Sequence, residues 1–177
     1  MPLDIGGDFN SIKWMARDET FVANGDVVEL EKAVFDLANI KQGWIKLQSG
    51  EAPQSQWDNG IRGPKPGDDW RRGFSVEIFA PKTFGDEELR TFMTNATGAC
   101  MGMATLYAEF EEQLPKQNAT TKVPLVKFNG ADKAKVGKGD TSIPRLSIDQ
   151  WIERPDALVM GVENEIEVVE TEDEVEF

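Results

Sequence analysis

The stretch FSVEIFAP, residues 74–81, sets Phe74, Val76, Ile78 and Ala80 on one side of an extended chain and stops at Pro81. A period of two over this length marks a half-buried strand, and proline donates nothing to a sheet ladder. Upstream, KAVFDLANIKQGWIKLQ (32–48) is partly β-branched and aromatic and breaks at Lys41-Gln42-Gly43. Two more strands are expected there, at about 32–40 and 43–48. Between them and residue 74 runs SGEAPQSQWDNGIRGPKPGDDWRRG (49–73), whose three prolines and five glycines predict a long loop. Residues 1–30 are less decisive, and FNSIKWM fits either a short strand or one helical turn.

Downstream, GDEELRTFMTNATGACMGMATLYAEFEEQLP (85–115) predicts a helix. Asp86 serves as N-cap, Glu87 and Glu88 sit in the first turn where the dipole favours acids, and Pro115 lies just past the end. The apolar spacing fits one helix, or two broken near Asn95–Gly98. The Gly98–Gly102 pair reads as close packing of helix on sheet. VPLVKF (123–128) is then a strand, NGADKAKVGKGDTSIP (129–144) a loop, and RLSIDQWIERP (145–155) a strand alternating at Leu146, Ile148 and, less regularly, Trp151. The expected fold is mainly β with one or two helices. Five short strands with a helix before the fourth is the order of the OB-fold, a five-stranded Greek-key barrel. Residues 1–160 form that domain, and 161–177 an acidic, disordered tail.

A chain of 177 residues, 40% of them hydrophobic, is long enough to bury a core, and no apolar run approaches the ~20 residues a membrane helix needs. The opening MPLDIGGDFN lacks the basic and apolar regions of a signal peptide. A single cysteine, Cys100, fits a reducing compartment, so a cytoplasmic location is expected. Histidine is absent, which removes the commonest general base and the usual zinc ligand. No catalytic residue, metal or cofactor is expected. KVGKGDTS (135–142) does not match a P-loop, because Lys138 is followed by Gly139 and the segment joins strand to strand.

The net charge of −13 conceals two opposed segments. ENEIEVVETEDEVEF (163–177) has eight acids and no base, leaving −5 for the rest. Residues 122–148 hold six bases against two acids. Binding single strands without reading sequence needs cations along the backbone and aromatic faces for unstacked bases. Both occur interleaved. The candidate nucleic-acid contacts are Lys41, Trp44, Lys46, Trp57, Arg62, Lys65, Trp70, Arg71, Arg72, Phe74, Lys127, Lys133, Lys135, Lys138 and Arg145. Trp57 and Trp70 have the most polar flanks; Trp44 and Trp151 lie on expected strands, where burial competes with stacking. A mobile polyanion can occupy a cationic groove until a denser polyanion displaces it. Phe177 adds a ring and a carboxylate that a partner's pocket can grip.

The tail TEDEVEF (171–177), the basic segment KVPLVKFNGADKAKVGKG (122–139) and the loop WDNGIRGPKPGDDWRRG (57–73) together resemble the single-stranded DNA-binding proteins of bacteria and, more closely, of bacteriophages. The resemblance implies a role in DNA replication, recombination and repair. It also implies a tail that competes with DNA and recruits replication or recombination proteins through Asp173, Glu174, Glu176 and Phe177. The glycine-rich linker of the bacterial proteins is missing, which favours a phage-type monomer or homodimer. Two other readings stand beside it. One is a phage interaction or assembly protein with an acidic docking tail and no DNA binding. The other is a metal-dependent nuclease using Asp68 and Asp69.

Overall fold

A computed structural model describes residues 11–23, 25–48, 50–84, 89–116, 121–137, 139–156 and 158. The expected tail at 161–177 lies outside the described residues, as do Asp86, Glu87, Glu88 and Lys138. The fold is mainly β. Among the described residues the strands are β1 (Ser11–Met15), β2 (Thr20–Ala23), β3 (Asp26–Val28), β4 (Lys32–Phe35), β5 (Lys41–Lys46), β6 (Gln54–Trp57), β7 (Arg71–Phe79), β8 (Leu89–Thr94), β9 (Lys122–Val136) and β10 (Gly139–Glu153). Two α-helices, α1 (Pro81–Phe84) and α2 (Thr97–Gln113), flank β8.

One mixed sheet runs β10-β9-β4-β7-β8-β1-β2-β3, with β5 also on β7 and β6 outside β5. The pivot is β7, and the alternation in FSVEIFAP is realised: Phe74, Val76, Ile78 and Ala80 are each 5% exposed or less. β4 and β5 lie along the same edge of β7, as two halves of a strand bent at the 3-10 turn Leu37–Asn39. Val34 and Phe35 face Phe79 and Ile78, and Lys41 to Ile45 then face Ser75 to Arg71. The sheet also rolls back on itself. Trp14 on β1 donates Nε1–H to the Ser142 carbonyl on β10 at 3.1 Å, and its ring meets Phe128 of β9 edge-on. Inside the roll Phe21, Phe35, Phe92 and Phe74 form the aromatic centre of the core.

The long helix lies on β10, and its two glycines explain how closely. A Cβ on Gly98 would stand 2.2 Å from the Ser142 carbonyl oxygen, and one on Gly102 would stand 2.6 Å from that of Pro144. Helix and strand therefore meet backbone to backbone. Gly98→Ala must push the helix outward, and overpacking of this kind costs about 1–3 kcal/mol. A thermal melt should show that loss, whereas Ala104→Ser on the exposed face of α2 should not move the midpoint. The open edge of β10 is closed by side chains: besides Trp14, the Glu109 carboxylate accepts the Ile148 N–H at 2.6 Å. Both bonds use up groups through which the edge could otherwise pair with another strand.

Three expectations need correction. Residues 89–94 form a strand, not the start of a helix. Leu89, Phe92 and Met93 fit a helical spacing, but Arg90 and Phe92 alternate inward, and β8 completes the second edge of β7. The break expected near Asn95–Gly98 is where α2 begins, with Ala96 as an N-cap that makes no side-chain bond. Residues 129–144 are not a loop. They are the distal halves of β9 and β10, paired up to Val136 and Gly139. Their lysines, glycines and aspartates mimic loop composition, yet Gly130 at φ 86 only forms a bulge in a continuing ladder. The loop at 49–73 is also shorter, since β6 lies within it and β7 takes in Arg71–Gly73. Among the described residues ten strands therefore stand where five were expected, with β1–β3 drawn from the stretch 11–28. A second bulge, between Ile148 and Gln150, turns Trp151 towards Phe110 and explains its irregular alternation.

The end of β10 is pinned. Arg154 donates to Asp36 at 3.1 Å with both side chains 6% exposed, Asn39 also donates to Asp36, and Leu158 packs on Val34 and Val123.

Candidate nucleic-acid interface

The expected contacts fall into two groups. Lys41, Trp44, Lys46, Trp57, Arg62, Lys65, Trp70, Arg71, Arg72 and Phe74 lie on β5, β6, the start of β7 and the segment joining β6 to β7. Lys127, Lys133, Lys135 and Arg145 lie on the β9–β10 hairpin, with Lys138 outside the described residues. The start of α2 sits between the groups: Arg71 donates to the Thr97 hydroxyl at 2.9 Å, and Gly98 abuts Thr141 and Ser142 of β10.

Trp44 organises the first group without being accessible itself. It is 7% exposed, its Nε1–H is bonded to the Gly63 carbonyl at 2.9 Å, and guanidiniums of Arg62 and Arg72 lie 5.2 and 5.1 Å from its ring centroid. Arg72 also grips Asp58 through both terminal nitrogens. These bonds strap the segment after β6 onto β5. Phe74, at 4% exposed, belongs to the core. In this arrangement neither Trp44 nor Phe74 offers a ring face to a base, and Arg72 already carries a carboxylate.

What remains is a cationic rim with two half-buried indoles. Lys41, Arg62, Lys65 and Arg71 are exposed and Lys46 is partly so; among the described residues none of the five makes an ion pair. Trp57 is half-buried opposite Gly43, beside a cleft of about 370 Å³ that it shares with Trp44, Ile61 and Pro64. Trp70 is half-buried against Gly67, in a turn closed by the Trp70 N–H on the Gly67 carbonyl. In the second group Lys127, Lys133 and Lys135 are exposed, opposite Ser147, Ser142 and Asp140 in the ladder. Arg145 instead clamps its bulge, bonded to the Asn129 carbonyl and to Asp132.

The hydrogen bond from Arg72 holds the Asp58 carboxyl below the usual carboxylate range; partial burial opposes this, and the charge of Arg72 adds to it. A depressed carboxylate contributes stability above its unfolded pKa of about 3.9 and loses it as pH falls through the folded value. The strap should therefore stay closed at neutral pH and loosen only below about pH 4. Tryptophan fluorescence followed down in pH should report a transition there that Asp58→Asn abolishes.

Residues outside the expected set share this surface. Lys41, Ser75 and Met93 are ladder partners across β5, β7 and β8. Lys13, two residues past the parallel Ser11–Thr91 pair, falls level with Met93 on β1. Met15 and Leu47 are 39% and 41% exposed beside them, on the walls of a cleft of about 640 Å³. The signal was present in SIKWM, where Lys13 and Met15 alternate with the buried Ile12 and Trp14. Cys100 is half-buried and burial pushes its thiol up, which keeps it protonated and a poor nucleophile. Among the described residues no three carboxylates or thiols converge as a metal would need, and no helix is long and apolar enough to cross a membrane.

No protein-family model, curated protein or solved structure matches this chain.

Proposed function

We propose that the chain is a sequence-tolerant single-stranded DNA-binding protein, acting in replication, recombination or repair through an OB-type core. The observation that carries the reading is that Lys41, Lys46, Arg62, Lys65 and Arg71, which make no ion pair among the described residues, share β5, β6, the start of β7 and the segment joining β6 to β7 with the half-buried Trp57 and Trp70. Cations not held in direct ion pairs can exchange counterions for phosphates, and half-buried indoles can take unstacked bases. The strand order supports the OB reading. The bent β4–β5, then β7 and β8, then α2, then β9 and β10 follow the sequence of three strands, helix and two strands, with β1–β3 and β6 as additions. The acidic residues 163–177 compete with DNA for the rim and dock replication or recombination proteins through Asp173, Glu174, Glu176 and Phe177. The setting is a bacterial cytoplasm, with the protein phage-encoded and a monomer or homodimer.

Anisotropy of a labelled oligo-dT against a duplex of equal length tests this. Binding should prefer the single strand, and deleting residues 163–177 should tighten it. Indifference to both DNAs, with and without those residues, would favour the assembly-protein alternative. Cleavage of the oligomer in magnesium or manganese would favour the nuclease.

A further inference from the structure

We infer that the cleft between β1, β8 and residues 47, 48, 50, 51 and 53 is a second base-binding site for the same strand, built from Lys13, Met15, Leu47 and Met93. This rests on the single-stranded DNA reading and adds to it a surface that contains none of the expected tryptophan sites. Three observations support it. The cleft is continuous with the cationic rim, because Met93 on its floor is joined through Ser75 to Lys41 in adjacent ladder positions. Lys13 and Lys41 bracket that row from either side, three strand spacings or roughly 14 Å apart. A strand crossing the sheet there meets a cation, an apolar floor and a second cation.

The third observation is the chemistry of the walls. Met15, Leu47, Met93 and Pro53 provide apolar surface, and Met15 and Leu47, both exposed, line the same cleft. Thioethers make favourable contacts with aromatic rings at varied orientation, which suits bases of any identity. The Thr91 hydroxyl, which donates to Glu77, can still accept, and the Thr94 hydroxyl, which accepts the Ala96 N–H, can still donate, so the cleft offers a base edge one polar group of each kind. The volume of about 640 Å³ lies in the range of sites that enclose small organic groups. Two acids bear on the row. Glu51 lines the loop side of the cleft, and Glu77, next along β7, accepts the Thr91 hydroxyl at 2.8 Å, with burial pushing its carboxyl up. Both are positioned to repel a phosphate, so the backbone is expected on the Lys13 and Lys41 flanks and the base between them.

The test compares oligo-dT with an oligomer of the same length carrying abasic sites, for the parent protein and for Met15→Ala/Leu47→Ala/Met93→Ala. These side chains are all at least partly exposed, and a thermal melt checks that the fold is kept. The parent should prefer oligo-dT. The variant should lose about tenfold in affinity for oligo-dT, bind the abasic strand as before, and keep its salt slope, because bases and not phosphates are affected. Photocrosslinking of bromodeoxyuridine strands to the parent should place adducts in residues 11–15, 47–53 or 91–94. A parent protein that binds oligo-dT with adducts confined elsewhere, and a variant indistinguishable from it, would overturn the cleft while leaving the broader function intact. A parent that binds neither strand would overturn both.

Discussion

Replacing Lys41, Lys46, Lys65 and Arg71 together with alanine should weaken oligo-dT binding by roughly 100- to 1000-fold at low salt, at up to about 1 kcal/mol per exposed contact. The same variant should flatten the dependence of log affinity on log salt by up to ~3, since each lost phosphate contact removes about 0.7 for a single strand. The two readouts together separate phosphate neutralisation from unfolding. The four side chains are exposed or partly so and free of ion pairs among the described residues, so the melting temperature should hardly move. Arg62 and Arg72 are deliberately kept. Both pack on Trp44, and Arg72 holds Asp58, so their loss would release the strap and blur the result. A variant lacking Lys82 and Lys116, which lie outside the expected contacts, should bind almost as before; weakening as large per charge removed would show instead that only overall charge matters.

The second large effect is on stability. Asp36→Ala removes the carboxylate that Arg154 and Asn39 both bond, in a site where the two charged side chains are each 6% exposed. Breaking a buried pair from one side costs about 3–5 kcal/mol because the surviving charge keeps its desolvation penalty. For a domain of this size that is a fall of about 10 °C in melting temperature. Asp36→Leu/Arg154→Met, which removes both charges, should recover much of the loss. A double variant as unstable as the single one would mean that the pair holds β10 to the β4–β5 bend by specific bonds that packing cannot replace.

The pivot of the fold was legible because β7 is buried on one face only, so its period of two is written directly in FSVEIFAP. The Gly98–Gly102 spacing was legible for a similar reason: contact at backbone distance needs a missing Cβ, and the residues say so. β8 was not, since Leu89, Phe92 and Met93 satisfy both periods over six residues, and only pairing with β7 decides between them. The distal β9–β10 hairpin escaped because its strands are held by the ladder and by α2, not by an apolar alternation of their own. Within the site, the cations could be read from composition. Which aromatic rings face solvent could not: Trp44 and Trp57 sit on adjacent strands, and burial of the first goes with two guanidiniums close to its ring and a bond to Gly63, all brought by residues far from it in sequence. Lys13 and Met15 needed the parallel β1–β8 pairing to appear beside Met93 and Lys41.

The most direct measurement is intrinsic tryptophan fluorescence during titration with unlabelled oligo-dT, for the protein lacking residues 163–177, at low and at raised salt. Trp57 and Trp70 should be quenched on binding, the quenching should survive Trp44→Phe, and it should vanish in Trp57→Phe/Trp70→Phe while raised salt reverses it in the parent. Fluorescence unchanged by oligo-dT at low salt would contradict a cationic rim that stacks bases on half-buried indoles.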